Sequence, residues 1–263
     1  MPDPANSDIT RRSFTQQAPS FEDPRFNSVL TTESDWLFDA LPRGRGDLLL
    51  DVAAGTGIAA RSLAREVRSA VALDATPAML ELGRQRAAEE GLTNIVFMVG
   101  DAAALPFLDA SFDVTVCRYA LHHFPAPDAQ LAEMARVLRP GGHLALADLI
   151  ADPNPTAANV QNHLERLRDP SHAHALAETA LQALLARHGF RVVSHQTRVV
   201  RRPVGPWVQQ TQTPAEDIAK IEMALVGEIE RRGPATGLQP GRDQDGQLTI
   251  AQTLSSIVAT KPA

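Results

Sequence analysis

The stretch Leu48-Leu-Leu-Asp-Val-Ala-Ala-Gly-Thr-Gly-Ile-Ala-Ala60 decides how this chain is read. Leu48–Val52 is a short apolar run of the kind that forms a buried strand. It breaks at a Gly-rich turn, and residues 58–66 then have the composition of a helix. Strand, Gly-turn and helix open a nucleotide-binding βα unit: glycine lets backbone approach a ligand, and the helix N-terminus presents unpaired N–H groups at a positive dipole end. Gly55, Gly57 and Ala60 satisfy G-x-G-x-x-A, a form of the dinucleotide fingerprint. Asp51 redirects that reading, because a carboxylate at the strand's end repels a pyrophosphate and suits a ligand carrying an ammonium or a sulfonium.

S-adenosylmethionine (SAM) carries both cations, plus a carboxylate for the helix N-terminus. Later strand ends repeat the theme. Residues 70–73 form a second apolar run ending in Asp74, at the spacing where an acidic residue meets ribose hydroxyls. Thr76 and Pro77 read as N-cap and first helical residue, with Gly91 as the stop. Residues 94–99 form a third strand, followed by Asp101 and Ala102, where a carboxylate can accept from an exocyclic amine. A fourth strand, residues 111–117, runs into Arg118-Tyr-Ala-Leu-His-His-Phe124 at the carboxyl edge, where open α/β sheets bind ligands. A helix over 128–138, the turn Pro140-Gly141-Gly142 and a strand over 144–149 complete the alternation.

Together with Leu138-Arg-Pro-Gly-Gly142, these features resemble the class I SAM-dependent methyltransferases of the ubiquinone/menaquinone-biosynthesis (UbiE-like) type over residues 45–150. Cys117-Arg-Tyr-Ala-Leu-His-His-Phe124 and Asn162-His-Leu-Glu-Arg-Leu-Arg-Asp-Pro-Ser-His172 extend the resemblance to a bacterial group, the YcgJ-type methyltransferases. Ala53 stands where many members have Gly. The resemblance implies a Rossmann-like α/β fold: a seven-stranded, mostly parallel sheet with an antiparallel last strand and helices on both faces. It implies SAM as cofactor and S-adenosylhomocysteine as product. Asp51 would stand near the amino group of SAM, the Gly55–Gly57 backbone near its methionine part, Asp74 on the ribose, and Asp101 with Ala102 near the adenine, with Ala53, Ala75 and Met79 also among the cofactor-binding residues. Arg118 would contact the cofactor or an acidic acceptor. His123 and His122 are the candidate catalytic bases, with structural hydrogen bonding at a strand–helix junction as the competing role.

The remaining chain is organised around that core. Residues 1–44 form an N-terminal arm, expected to be disordered to about residue 12. It then carries short helices and four aromatics (Phe14, Phe21, Phe26, Trp36), and a first helix ends near Leu41-Pro42. The arm either packs on the core or closes over the cleft as a lid. Residues 151–176 read as a segment inserted on the substrate side, with a short helix over 160–167. Residues 177–263 complete the same domain: a helix over 178–188, a strand over 190–200, a helix from Pro214 to about residue 231 and a mobile loop over 233–246. A final strand over 248–260 is antiparallel in the family. The basic pair Arg201-Arg202 reads as a solvated strand end.

A chain of 263 residues can bury one sizeable α/β core, and a 44% hydrophobic, 21% charged composition suits a globular protein. The net charge of −6 argues against a nucleic-acid partner. Cys117 is the only cysteine, so no intrachain disulfide and no cysteine-based metal site is expected. His163, His172 and His174 lack the carboxylates of a metal centre, and none is expected. With no signal-type or membrane-length apolar run, the expectation is a cytoplasmic monomer or homodimer acting on a small-molecule methyl acceptor. Two other readings stay open: an NAD-type oxidoreductase, and a SAM-fold protein that binds the cofactor or catalyses another reaction.

Overall fold

In the computed structural model, which describes residues 4–31 and 35–263, the apolar runs become strands of one mixed sheet. They are β1 (Leu48–Val52), β2 (Ser69–Asp74), β3 (Ile95–Val99), β4 (Phe112–Arg118), β5 (Leu138–Ile150), β6 (Arg191–Pro203), β7 (Gly241–Arg242) and β8 (Leu248–Thr260). Their order is β3-β2-β1-β4-β5-β8-β6, with β7 paired to β8 off that path. The first five strands are parallel, and β8 runs antiparallel to both β5 and β6. The seven-stranded Rossmann-like sheet is present. The two-residue β7 is an addition, folded out of the stretch read as a mobile loop because Asp243 takes the backbone N–H groups of Asp245 and Gln247 and closes a hairpin onto β8.

Alternation along the strands explains the layers. Leu50 and Val52 point into one core with Leu131 and Met134 of α5 (Pro127–Val137) and Leu181 and Leu185 of α7 (Glu178–Arg187). Leu49 points the other way, into a core with Leu63 of α3 (Ile58–Leu63), Trp36 and Phe38. Burial on both faces is what a near-continuous apolar strand requires. Helix α4 (Pro77–Glu89) starts at Pro77 and ends in a Schellman turn: Gly91 has φ +67°, and Leu92 N–H reaches back to Ala87 O at 2.8 Å. A third core joins α6 (Pro155–Arg168), α8 (Val204–Gln210) and α9 (Ala215–Ile229) to β8 around the fully buried Trp207. Ile221 and Leu225 carry that contact, while Ile229, the last residue of the same helix, stays exposed.

The arm departs most from expectation. Residues 1–3 and 32–34 lie outside the described residues, but 4–17 form helix α1 (Pro4–Gln17) where disorder was expected, followed by α2 (Pro24–Thr31). Where a helix ending near Leu41-Pro42 was expected, the described residues hold a short 3₁₀ segment, Asp35–Leu37, and a turn closed by Leu41 N–H on Phe38 O at 2.9 Å. The arm is tied down by distant partners: Glu22 pairs with the buried Arg61 of α3 at 2.6 Å, and Arg61 also holds Glu90. Among the described residues no helix is long and apolar enough to cross a membrane.

Candidate active site

All five parallel strands, and β6 with them, end at one edge of the sheet, and a cavity of about 700 Å³ opens there. Its first end is built by the turns after β1, β2 and β3. The β1 turn needs left-handed backbone: φ is +54° at Ala53, +57° at Gly55 and +71° at Gly57. This explains the value of glycine at position 53, since an L side chain there is strained. Asp74 organises the turn. Its Oδ2 accepts from Gly55 N–H and its Oδ1 from Thr76 N–H, both at 2.7 Å. Burial raises the Asp74 pKa, against the pull of those backbone donors. Thr76 itself makes no side-chain cap; Asp74 supplies the oxygen at that helix start.

Asp51 is fully buried behind the turn and accepts from Ala60 N–H at 2.9 Å. Burial pushes its pKa up to about 7, against the Ala60 hydrogen bond and the charge of Arg118. Of the residues singled out from sequence, Ala53, Gly55, Asp74, Ala75, Asp101, Ala102, Arg118, His122 and His123 all line the cavity. Asp51, Gly57 and Met79 do not: Gly57 caps α3, and Met79 is buried against Ala18, Phe21 and Ile58. These three shape the turn and the seat of the arm from behind.

The middle of the cavity is the turn after β4. His122 Nδ1–H donates to Asp148 Oδ1 at 2.5 Å, and the other oxygen of Asp148 accepts from His122 N–H at 3.0 Å. Burial disfavours the charged imidazole, but the Asp148 charge and hydrogen bond outweigh it, so the His122 pKa is raised. His123 differs. Its Nδ1–H faces Ser171 O at 3.0 Å, and burial, with His122 beside it, pushes its pKa down to about 4. The segment after α6 holds this turn: Ala173 and His174 N–H donate to His122 O. His172 is buried and its Nε2–H donates to Asn162 Oδ1 at 2.8 Å. From above, the Phe14 ring stands edge-on to His123 at 4.9 Å, and Phe21 lies over Gly55. Ser13 and Gln17 of α1 donate to Asp169, which closes the cavity's roof.

The far end was not anticipated. Arg202, read as solvated, exposes only 8% of its surface and lines the cavity with Gln210, Gln252 and Arg168. Alternation along the strand gave no signal, because Gln196–Val199 of the same edge strand are exposed on both faces; the cover over Arg202 comes from Phe26 and Gln210.

The comparisons with known proteins agree with this geometry. A family model described as "Methyltransferase domain" matches residues 50–146. The uncharacterized methyltransferase YcgJ of Bacillus subtilis is 36% identical over 168 residues, covering 64% of this chain and 66% of that protein, just under two thirds of its length. A demethylmenaquinone methyltransferase of Mycobacterium sp. (strain KMS) is 34% identical over 181 residues, covering 67% and 76%. The crystal structure of Bacillus subtilis YcgJ superposes with a TM-score of 0.79 at 28% identity, over 87% of this chain and 97% of that one. The sheet order, the turn after β1 and these relatives converge: the chain belongs to the SAM-dependent methyltransferases.

Proposed function

We propose that the protein methylates a small-molecule acceptor within this cavity, using SAM and releasing S-adenosylhomocysteine. The observation that carries the reading is Asp74, a carboxylate fixed by two backbone N–H groups while lining the cavity beside the β1 turn. A carboxylate offers about four lone-pair positions, so two backbone donors leave room for a vicinal diol. Asp101 lines the same end, its Oδ1 turned toward Ala103 N–H at 2.8 Å. The donor set therefore fits an adenosine: Asp74 for the ribose, Asp101 and Ala102 for the base, and the Ala53–Gly55 backbone with Arg118 for the amino-acid part. SAM supplies a methyl group already activated on a sulfonium, so the protein's task is to orient the acceptor and exclude water.

The arm, residues 1–44, acts as the lid, with Phe14 and Phe21 covering the cavity, and residues 151–176 form its substrate side. Residues 45–150 hold the cofactor, and 177–263 complete the sheet. His122 is the better general base of the two histidines. Asp148 fixes its Nδ1–H, which leaves Nε2 to take a proton from an O–H or N–H acceptor, and the Asp148 carboxylate raises its basicity against the effect of burial. His123, with its low pKa, orients the acceptor and the Phe14 ring. The aromatic walls suit a ring-bearing acceptor, in keeping with the demethylmenaquinone of the mycobacterial relative's name. Calorimetry tests the cofactor: S-adenosylhomocysteine should bind and NAD should not. Product mass tests the chemistry, since turnover adds one methyl to the acceptor. Preferential binding of NAD would overturn the proposal.

A further inference from the structure

The cavity extends well past the residues that fit a cofactor, and its far wall holds a buried cation. Arg202 lies at the C-terminal end of β6, on the same sheet edge as Asp74, Asp101 and Arg118. Its two hydrogen bonds both come from Nη2, to Phe26 O at 3.0 Å and Gln210 Oε1 at 3.4 Å. Both acceptors are neutral. No described carboxylate lies within ion-pairing distance of it, and Nε and Nη1 make no hydrogen bond to a described residue.

The neighbouring charges are already committed. Glu165, fully buried, gives Oε2 to Arg168 at 3.0 Å and Oε1 to Gln252 Nε2–H at 2.6 Å. Arg168 also stacks over Trp207 and donates to its carbonyl. Asp169 takes hydrogen bonds from Ser13, Gln17 and Ser171. Burial lowers the Arg202 pKa to about 9, and Arg168 adds to that effect against Glu165. A buried guanidinium that faces a cavity with unfilled N–H groups is retained at a cost unless something negative comes to it.

We propose that Arg202, flanked by the Gln210 amide, binds an anionic group, a carboxylate, on the methyl acceptor. The substrate class is then an elongated, largely apolar or aromatic carboxylic acid. Its length follows from the sheet. Three strand spacings separate β6 from β4, where the histidines sit, which is about 14 Å at ~4.8 Å per strand. The acid group therefore docks at one end and the methylated atom lies at the other. The walls between are Phe14, Leu149 and Leu254, which suit a hydrocarbon or ring body. This inference rests on the methyltransferase reading of the same cavity.

Matched probe pairs test it on the full chain saturated with S-adenosylhomocysteine: benzoate and benzamide, 1-naphthoate and 1-naphthamide, octanoate and octanamide. The carboxylate member should bind at least about tenfold more tightly, the worth of one charge-assisted contact. Arg202→Gln should erase that preference and leave affinity for S-adenosylhomocysteine within twofold. Arg202→Lys, which keeps the charge without the planar fork, should retain part of it and serves where the glutamine variant does not fold. Absence of a carboxylate preference in all three pairs, while S-adenosylhomocysteine binds, overturns this inference alone. Failure of S-adenosylhomocysteine to bind the wild type overturns the methyltransferase reading and this one with it.

Discussion

Replacing Asp74 by Asn separates the two tasks assigned to that carboxylate. In the protein it accepts from Gly55 and Thr76 N–H at 2.7 Å each, tying the β1 turn to the start of α4. Asparagine keeps the shape but offers one oxygen, so one of the two N–H groups must face an NH₂. A hydrogen bond to a charged acceptor contributes about 1.5–3 kcal/mol, and relief of the buried charge, which burial already pushes toward the protonated form, returns part of it. The net loss of stability should be about 1–2 kcal/mol, or roughly 2–4 °C in Tm for each kcal/mol in a chain of this size. If the carboxylate also receives a ribose diol, affinity for S-adenosylhomocysteine falls by about 10–100-fold on top of that loss. Calorimetry at a temperature well below both melting points reads the second effect without the first. A lowered Tm with affinity within twofold of wild type would refute the ribose role and leave Asp74 as a turn clamp.

His123 titrates at about 4 in the fold against 6.5 when unfolded, so the unfolded chain binds the extra proton between those values. Stability should therefore fall as pH drops from 6.5 to 4, by on the order of 3 kcal/mol from this group. His123→Gln, which leaves His122, Asp148, Asp169 and the likewise depressed His172 around the site, should lessen that slope in urea unfolding by this group's share, and parallel curves would contradict the assignment. Glu22→Gln keeps an acceptor oxygen at buried Arg61 but removes the arm's charge from that pair, at a cost of about 1–3 kcal/mol while Glu90 still holds the guanidinium. Hydrogen exchange over residues 4–31 should accelerate ahead of the rest of the chain, and uniform exchange would argue against a separable lid. Ala53→Gly relieves a left-handed alanine worth about 1–2 kcal/mol and adds about 0.4–1 kcal/mol of unfolded-state entropy, so stability should hold or rise slightly. Ala53→Val, β-branched at φ +54°, should lower both Tm and cofactor affinity; a neutral valine would mean the turn tolerates strain.

The end of the cavity proposed to hold the cofactor was legible because each of its signals is local. Leu48–Val52 followed by Gly55 and Gly57, Asp74 before Thr76-Pro77, and Gly91 as a helix stop all act over a few residues, and strand β8 matches its sequence boundaries at Leu248 and Thr260. The end proposed for the acceptor was opaque because its contacts are not local. Helix α1 has almost no apolar stripe of its own and is held by partners far along the chain, Ser13 on Asp169 and Gln16 on Gln212, 156 and 196 residues away. Helix α8 hid behind Gly205-Pro206, a turn signal in most settings, yet proline in the first helical turn removes no hydrogen bond. Arg202 shows the same limit in electrostatic form. Its charge was visible, but whether an arginine at a strand end meets water or a cavity depends on α2 and α8 covering it, and Phe26 and Gln210 supply that cover. The physical consequence is a division within the cavity: the turn after β1 is set by about a dozen neighbouring residues, while the far end depends on residues distant in the chain and can be rebuilt by changing them without touching that turn.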